Sequence, residues 1–370
     1  MERKSFLQSI GILGLGSALS SFKSFESMTS KGNKIERSIT IEEHFIIPSI
    51  NQKVMQYLTT KNGGKPPISD AQKELMKIVL PNNDIAEVGE KRLAFMDKAG
   101  VTMQILSYGA GSPQNIADIS LAIQLCQEAN NTLTEMIMQN PTRFAGFALL
   151  PMADTNEAVK ELTRCVNELG FKGAMITGTF YGTFFDEEQF HPLFKKAEEL
   201  GVPIYLHPAT IDQNIAIYYY KSKAWSEVAS LMFASAGFGW HADSGIALIR
   251  LIMSSIFDKY PKLQIISGHW GELVPFYLNR LDDQQAKTLQ LERSFSDYFK
   301  NNIYITPSGF FNENQLQYCI NEIGADRIIY SGDYPFLKDD NTKSFLENSK
   351  ISQKDKVKIA FKNAKQLFGL

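Results

Sequence analysis

The chain has 370 residues, of which 44% are hydrophobic and 21% charged, enough apolar material for a full core and a length ordinary for a single barrel domain. A formal net charge of −2 creates no field that would draw nucleic acid or an anionic membrane surface, so partners are expected among small molecules. The three cysteines, Cys126, Cys165 and Cys319, are odd in number and widely spaced, with no C-x-x-C pattern; this indicates neither a disulfide framework nor a thiolate zinc site.

At the N-terminus, Arg3-Lys4-Ser5-Phe6-Leu7 precedes an apolar run over 10–19. A basic stretch followed by an apolar run too brief to span a bilayer is the pattern of an export signal. It resembles a twin-arginine-type signal in which Lys4 replaces the second arginine, and the Sec route fits as well. Residues 1–34 are therefore expected to be an export signal and a Ser-, Lys- and Gly-rich linker. A periplasmic or exported protein without a membrane span in its mature form follows, or a cytoplasmic one if the leader does not function. Residues 35–370 are expected to be one metal-dependent barrel domain.

From Ser38 onward, short β-type runs alternate with longer amphipathic segments, the rhythm of repeated βα units. Strands are expected at 38–44, 101–107, 144–150, 173–177, 203–207, 263–269, 303–306 and 327–333. Helices are expected at 85–99, 119–140, 156–169, 187–200, 243–258, 312–323 and 352–368. Eight strands with intervening helices predict an α/β fold, a (β/α)8 TIM barrel. The stretches 46–84, 210–241 and 281–301 exceed ordinary connections. The first two read as insertions over the C-terminal face, forming lid or substrate-wall elements or dimer arms, and their aromatics, including Tyr218, Tyr219, Tyr220, Trp225 and Phe233, suit either role.

Active sites on such barrels are built at the C-terminal ends of the strands. Of the five histidines, His44, His207 and His269 each end a predicted strand, whereas His191 and His241 begin helical segments. Singly, each is more simply a capped or buried imidazole; three at equivalent positions point to chemistry. In Glu42-Glu43-His44 the strand period places Glu42 and His44 on one face and Glu43 on the other, so Glu42 partners His44 toward a single divalent ion. His207 ends the fifth strand and offers a third ligand. Asp333, after Gly332, closes the coordination shell or, when protonated, donates to a substrate. Two imidazoles and two carboxylates form a borderline set, suited to Zn²⁺ and acceptable to Mn²⁺. His269 is followed by Glu272, which orients the imidazole or favours the helix dipole. Arg280, eight residues on, is placed to hold a substrate carboxylate or to form a solvent-side ion pair.

Together, Ile41-Glu42-Glu43-His44-Phe45, Tyr205-Leu206-His207-Pro208, Gly268-His269-Trp270-Gly271-Glu272 and Ser331-Gly332-Asp333-Tyr334-Pro335 resemble the amidohydrolase-related decarboxylases. That group includes the γ-resorcylate, 2,3-dihydroxybenzoate and, more distantly, aminocarboxymuconate semialdehyde decarboxylases. The resemblance implies Glu42, His44, His207 and Asp333 as metal ligands, His269 as a base or hydrogen-bond partner, and Glu272 with Arg280 on the substrate side. It implies a homo-oligomer and non-oxidative decarboxylation of a small hydroxyaryl or enol-type carboxylic acid. The fourth strand, 173–177, carries no lysine for a bridging carbamate, which favours one metal over two. Two rivals remain: a hydrolase of a lactone or amide, in which the same ion activates water, and a non-catalytic binding protein that retains the barrel.

Overall fold

The computed structural model describes residues 34–65, 68–80, 84–338 and 342–370. The leader read from the sequence falls outside them, apart from Lys34. Among the described residues seven parallel strands are present: β1 Ile39–Phe45, β2 Met103–Tyr108, β3 Phe144–Gly146, β4 Ala174–Thr177, β5 Ile204–His207, β6 Ile265–Ser267 and β7 Ile303–Ile305. They pair in sequence order as β1-β2-β3 and β4-β5-β6-β7. Single parallel bridges finish the circle, Ala148 to Ala174 between the two ladders, Ile305 to Ile328, and Ser331 to Ile41. The expected eighth strand is thus present as an extended segment bridged on both sides, and the sheet closes into the predicted barrel. It stays short because the chain turns away at Asp333, whose φ is 56°.

The barrel interior is filled by inward side chains from successive strands, among them Ile39, Ile41, Ile105, Phe147, Met175, Tyr205, Ile266 and Ile329. Phe368 of the last helix packs its ring 5.7 Å from Phe147. A larger apolar layer lies between the strands and the surrounding helices. Those helices follow the sequence pattern closely: Glu90–Ala99, Ile119–Gln139, Thr155–Asn167, His191–Leu200, Gly239–Met253 and Glu313–Ile323.

Strand β1 departs from simple alternation. Thr40 pairs with Gln104 and Glu43 with Leu106, so β1 carries one extra residue there, and Glu42 has φ 63°. This bulge shifts the side-chain phase by one. Ile39 and Ile41 fill the interior below it, and Glu42 and His44 turn toward the same central space above it. The expectation that Glu42 and His44 share a face holds, but a regular strand would not have placed the isoleucines and these two residues inside together.

The long connections are partly helical. Residues 46–84 contain helices Pro48–Lys61 and Asp70–Val79, and 210–241 contains Glu227–Ala234, against which Asp70–Val79 packs. Tyr218 and Tyr219 are 82% and 68% exposed, so these two rings project from the molecule rather than into its core. The third stretch, 281–301, holds a π-helical segment, Leu281–Gln285, and a 3-10 turn, Ala286–Thr288, before helix Phe295–Asn302.

Candidate metal centre and active site

Each candidate ligand atom is presented by a local device that leaves one lone pair free. Glu42 is fully buried. Its Oε2 accepts hydrogen bonds from the Ser308 hydroxyl and, at 3.3 Å, from Thr306 Oγ1, while Thr306 in turn meets Tyr205 Oη at 3.2 Å. Among the described residues, Oε1 has no hydrogen-bond partner, nor has Nε2 of His44. His207 donates Nδ1–H to its neighbour, the Pro208 carbonyl, at 2.6 Å, which leaves the lone pair on Nε2. That atom is 3.4 Å from Glu42 Oε1. The donor atoms of Glu42, His44 and His207 lie within 4.8 Å of one another.

Buried polar atoms without partners are costly, and a cation placed between these two and the His207 Nε2 lone pair would satisfy all three. The electrostatics agree. Burial lowers His44 to about 4, and burial with neighbouring imidazoles holds His207 well below its ordinary value. Both rings are therefore neutral near pH 7, the form that ligates a metal. The residues present fit a divalent ion.

Asp333 completes the group. Its Oδ1 lies 3.4 Å from His44 Nε2, and burial pushes its carboxyl up to about 7. A carboxyl poised there holds a proton for part of the population at neutral pH. His269 stands on the other side, with Nδ1 at 2.6 Å from Glu272 Oε1 and Nε2 at 3.7 Å from Glu42 Oε1. Burial works against its charge, but the carboxylates of Glu272 and Glu42 outweigh this and raise it to about 10. His269 is an imidazolium in this arrangement, its Nε2 aimed at the ligand group.

Two sequence readings change here. Residues 269–273 do not open a right-handed helix. His269, Trp270, Gly271, Glu272 and Leu273 all have positive φ, between 47° and 76°. This left-handed turn, unfavourable for L-residues, is held by Trp270, whose N–H donates to the Thr306 carbonyl at 2.7 Å and whose Nε1 donates to the Phe310 carbonyl at 2.8 Å. Glu272 therefore does not serve a helix dipole; it orients His269. The helix proper, Val274–Arg280, starts only after the turn. Arg280, for which the spacing left open a substrate carboxylate or a solvent-side ion pair, lies exposed at the far end of this helix.

The structure also adds a residue. His241 sets Nδ1 at 2.9 Å from Glu272 Oε2, and its ring centroid lies 4.3 Å from that of His269. Glu272 thus bridges two imidazoles. No local pattern marks His241, which lies 31 residues before Glu272. His191 stays outside the site, with Nε2 at 3.1 Å from the Asp186 carbonyl.

A closed parallel barrel with imidazoles and carboxylates gathered at its strand ends defines the class of barrel enzymes that work at this face. The chain belongs to the amidohydrolase family, whose model, described as Amidohydrolase, matches residues 70–370. It is 39% identical over 298 residues to a γ-resorcylate decarboxylase of Polaromonas sp. (strain JS666), covering 77% of this chain and 89% of that one. Among solved structures, a 2,6-dihydroxybenzoate decarboxylase complexed with 2,6-dihydroxybenzoate superimposes with a TM-score of 0.75 at 34% identity, covering 91% of this chain and 100% of that one. A dihydroxybenzoic acid decarboxylase from Polaromonas sp. JS666, with bound manganese and the inhibitor 2-nitroresorcinol, superimposes with a TM-score of 0.76 at 34% identity, covering 91% and 98%.

Proposed function

We propose that this protein is a metal-dependent decarboxylase of a dihydroxybenzoic acid, with Glu42, His44, His207 and Asp333 as the residues that hold the ion. The observation that carries the reading is the pair of partnerless buried atoms, Glu42 Oε1 and His44 Nε2, facing a carboxyl raised to about 7 at Asp333. Zn²⁺ came first from the donor set alone; the manganese bound by the Polaromonas relative supports Mn²⁺ first and Zn²⁺ second. When bound, the ion supplies Lewis acidity and a template for an anionic substrate.

The chain's own groups manage the protons. Asp333, protonated, delivers its proton to the ring carbon that bears the carboxylate. The carbon–carboxylate bond then breaks, its electron pair stays with the ring to restore aromaticity, and CO₂ leaves. Glu272 holds the Nδ1 side of His269, so Nε2–H of the imidazolium is the donor available to a substrate oxygen.

The test is incubation of the manganese-loaded protein with 2,6-dihydroxybenzoate and a panel of hydroxybenzoates and lactones. Release of CO₂ with one equivalent of the phenol is expected. Acid release from a lactone without CO₂ would move the reading to the hydrolase. We propose in addition that residues 1–34 direct export; a reporter fused behind them should reach the periplasm, and retention in the cytoplasm rejects this.

A further inference from the structure

Glu43 drew no role from the sequence beyond pointing away from Glu42, yet it is 1% exposed and lies at the centre of a buried polar chain. The Gly332 N–H donates to Glu43 Oε1 at 2.9 Å and the Tyr334 N–H to Oε2 at 3.3 Å. These are the two amides on either side of Asp333, the residue held at φ 56°. Gln104 Nε2 also donates to Oε2, at 3.0 Å, and Gln104 Oε1 accepts from Arg92 Nη1 at 3.3 Å. Arg92, itself fully buried, donates through Nη2 to the backbone carbonyl of His44 and lies over the Tyr334 ring at 4.6 Å.

We propose that Glu43 is a positioning residue, a latch that fixes the backbone on both sides of Asp333 and ties it, through Gln104 and Arg92, to the backbone of His44. This rests on the reading of His44 and Asp333 as metal-side groups. The latch sits where it is needed. Among the described residues, the first and eighth barrel segments share one ladder bridge, Ile41 to Ser331, and two backbone bonds, from the Ile41 N–H to the Tyr330 carbonyl at 3.2 Å and from the His44 N–H to the Tyr334 carbonyl at 2.7 Å, so the ladder fixes one amide of the His44 end and leaves the two amides beside Asp333 to be held by something else. Glu43 and Gly332 are 289 residues apart, and the carboxylate adds to the His44–Tyr334 backbone bond by holding the Gly332 and Tyr334 amides that the bulge and the Asp333 turn leave outside the ladder.

Donor counting shows why a carboxylate is required. Both backbone amides and the Arg92 guanidinium can only donate. Gln104, with one donating and one accepting end, passes the chain along but cannot terminate it. Only a group with two acceptor oxygens terminates it with every donor paired. A glutamine at position 43 has the same shape and one acceptor fewer, so a donor is left facing a donor whichever way either amide is turned.

The test uses two variants of the full chain. Glu43→Gln removes the second acceptor. Glu43→Gln with Gln104→Glu restores a carboxylate beside Arg92 and keeps the net charge, but still presents only one acceptor to the amides around Asp333. Free Mn²⁺ is titrated by electron paramagnetic resonance, which needs no substrate; kcat for CO₂ release and the Tm of the metal-free proteins are read alongside. Both variants should bind Mn²⁺ about 10- to 100-fold more weakly, as loss of a group supporting metal ligands does elsewhere. The double variant should recover Tm without recovering affinity or kcat. Wild-type Mn²⁺ affinity in either variant, or joint recovery of affinity and kcat in the double variant, overturns the latch and leaves Glu43 as a counter-charge for Arg92. If Glu43→Gln does not fold, the double variant carries the test. A wild-type protein that releases no CO₂ overturns the proposed reaction, and the Mn²⁺ titration still decides the latch.

Discussion

Replacing Gly268 by alanine adds one methyl group beside the Glu42 carboxylate. The Gly268 backbone has φ −73° and ψ −173°, an extended conformation open to any residue, so the effect is steric. A Cβ there would sit 2.8 Å from Tyr205 Oη, 2.9 Å from Ser308 Oγ and 3.0 Å from Glu42 Oε1. Ordinary separation requires each to withdraw by about 0.5 Å. All three side chains are fully buried and have no solvent to swing into, so overpacking should cost about 1–3 kcal/mol. Ser308 hydrogen-bonds the other oxygen of Glu42, so the displacement reaches the carboxylate from both sides. Metal–ligand distances tolerate only about 0.2 Å. Mn²⁺ affinity should therefore fall by roughly 10- to 100-fold, about 1.4–2.8 kcal/mol. Titration of free Mn²⁺ into the metal-free variant, with its Tm recorded in parallel, measures both quantities. A variant of lowered Tm that binds Mn²⁺ like the wild type refutes the reasoning, because the strain would then have been absorbed away from Glu42.

Further outcomes are expected. Asp333→Asn should keep much of the bound metal while kcat drops by about 100- to 10,000-fold, the range of general acid catalysis; full CO₂ release in that variant would remove Asp333 from the proton role. His241→Ala takes the 2.9 Å donor from Glu272 Oε2 and should lower kcat about 10- to 100-fold, from the loss of a charge-assisted hydrogen bond of about 1.5–3 kcal/mol, with metal content unchanged. An unaltered kcat would show that Glu272 holds His269 unaided. Stripping the ion with a chelator should lower Tm, and Mn²⁺ at about one hundred times Kd should restore about 2.7 kcal/mol of stability; a Tm indifferent to both treatments argues against an ion at the Glu42, His44 and His207 cluster.

Much of the fold was legible because its signals are local. The alternation of β-type runs with amphipathic helices repeats within windows of a few tens of residues, and all eight barrel segments fall where that rhythm places them. His44 and His207 at strand tips, and Asp333 after Gly332, were legible for the same reason: the architecture fixes which end of a strand faces the site. The mistaken expectation of one continuous helix from Glu272 to Arg280 has an equally local cause. The projection from Glu272 assumed right-handed helical geometry, and the left-handed turn at 269–273 is imposed by Trp270 bonding to residues 306 and 310.

The sequence by itself determined the class of barrel, the run of strands and helices, and the residue types gathered at the strand ends, because periodicity and turn chemistry act between near neighbours. Tertiary structure alone decided that β1 bulges so that Glu42 and His44 face inward together with Ile39 and Ile41, that Glu272 bridges His269 to His241, and that Glu43 grips the backbone around Asp333. Each of those arrangements pairs a buried polar group with a donor or acceptor from a distant segment. Such pairing is enforced by the cost of leaving the group unsatisfied, a constraint that exists only once the barrel has closed around it.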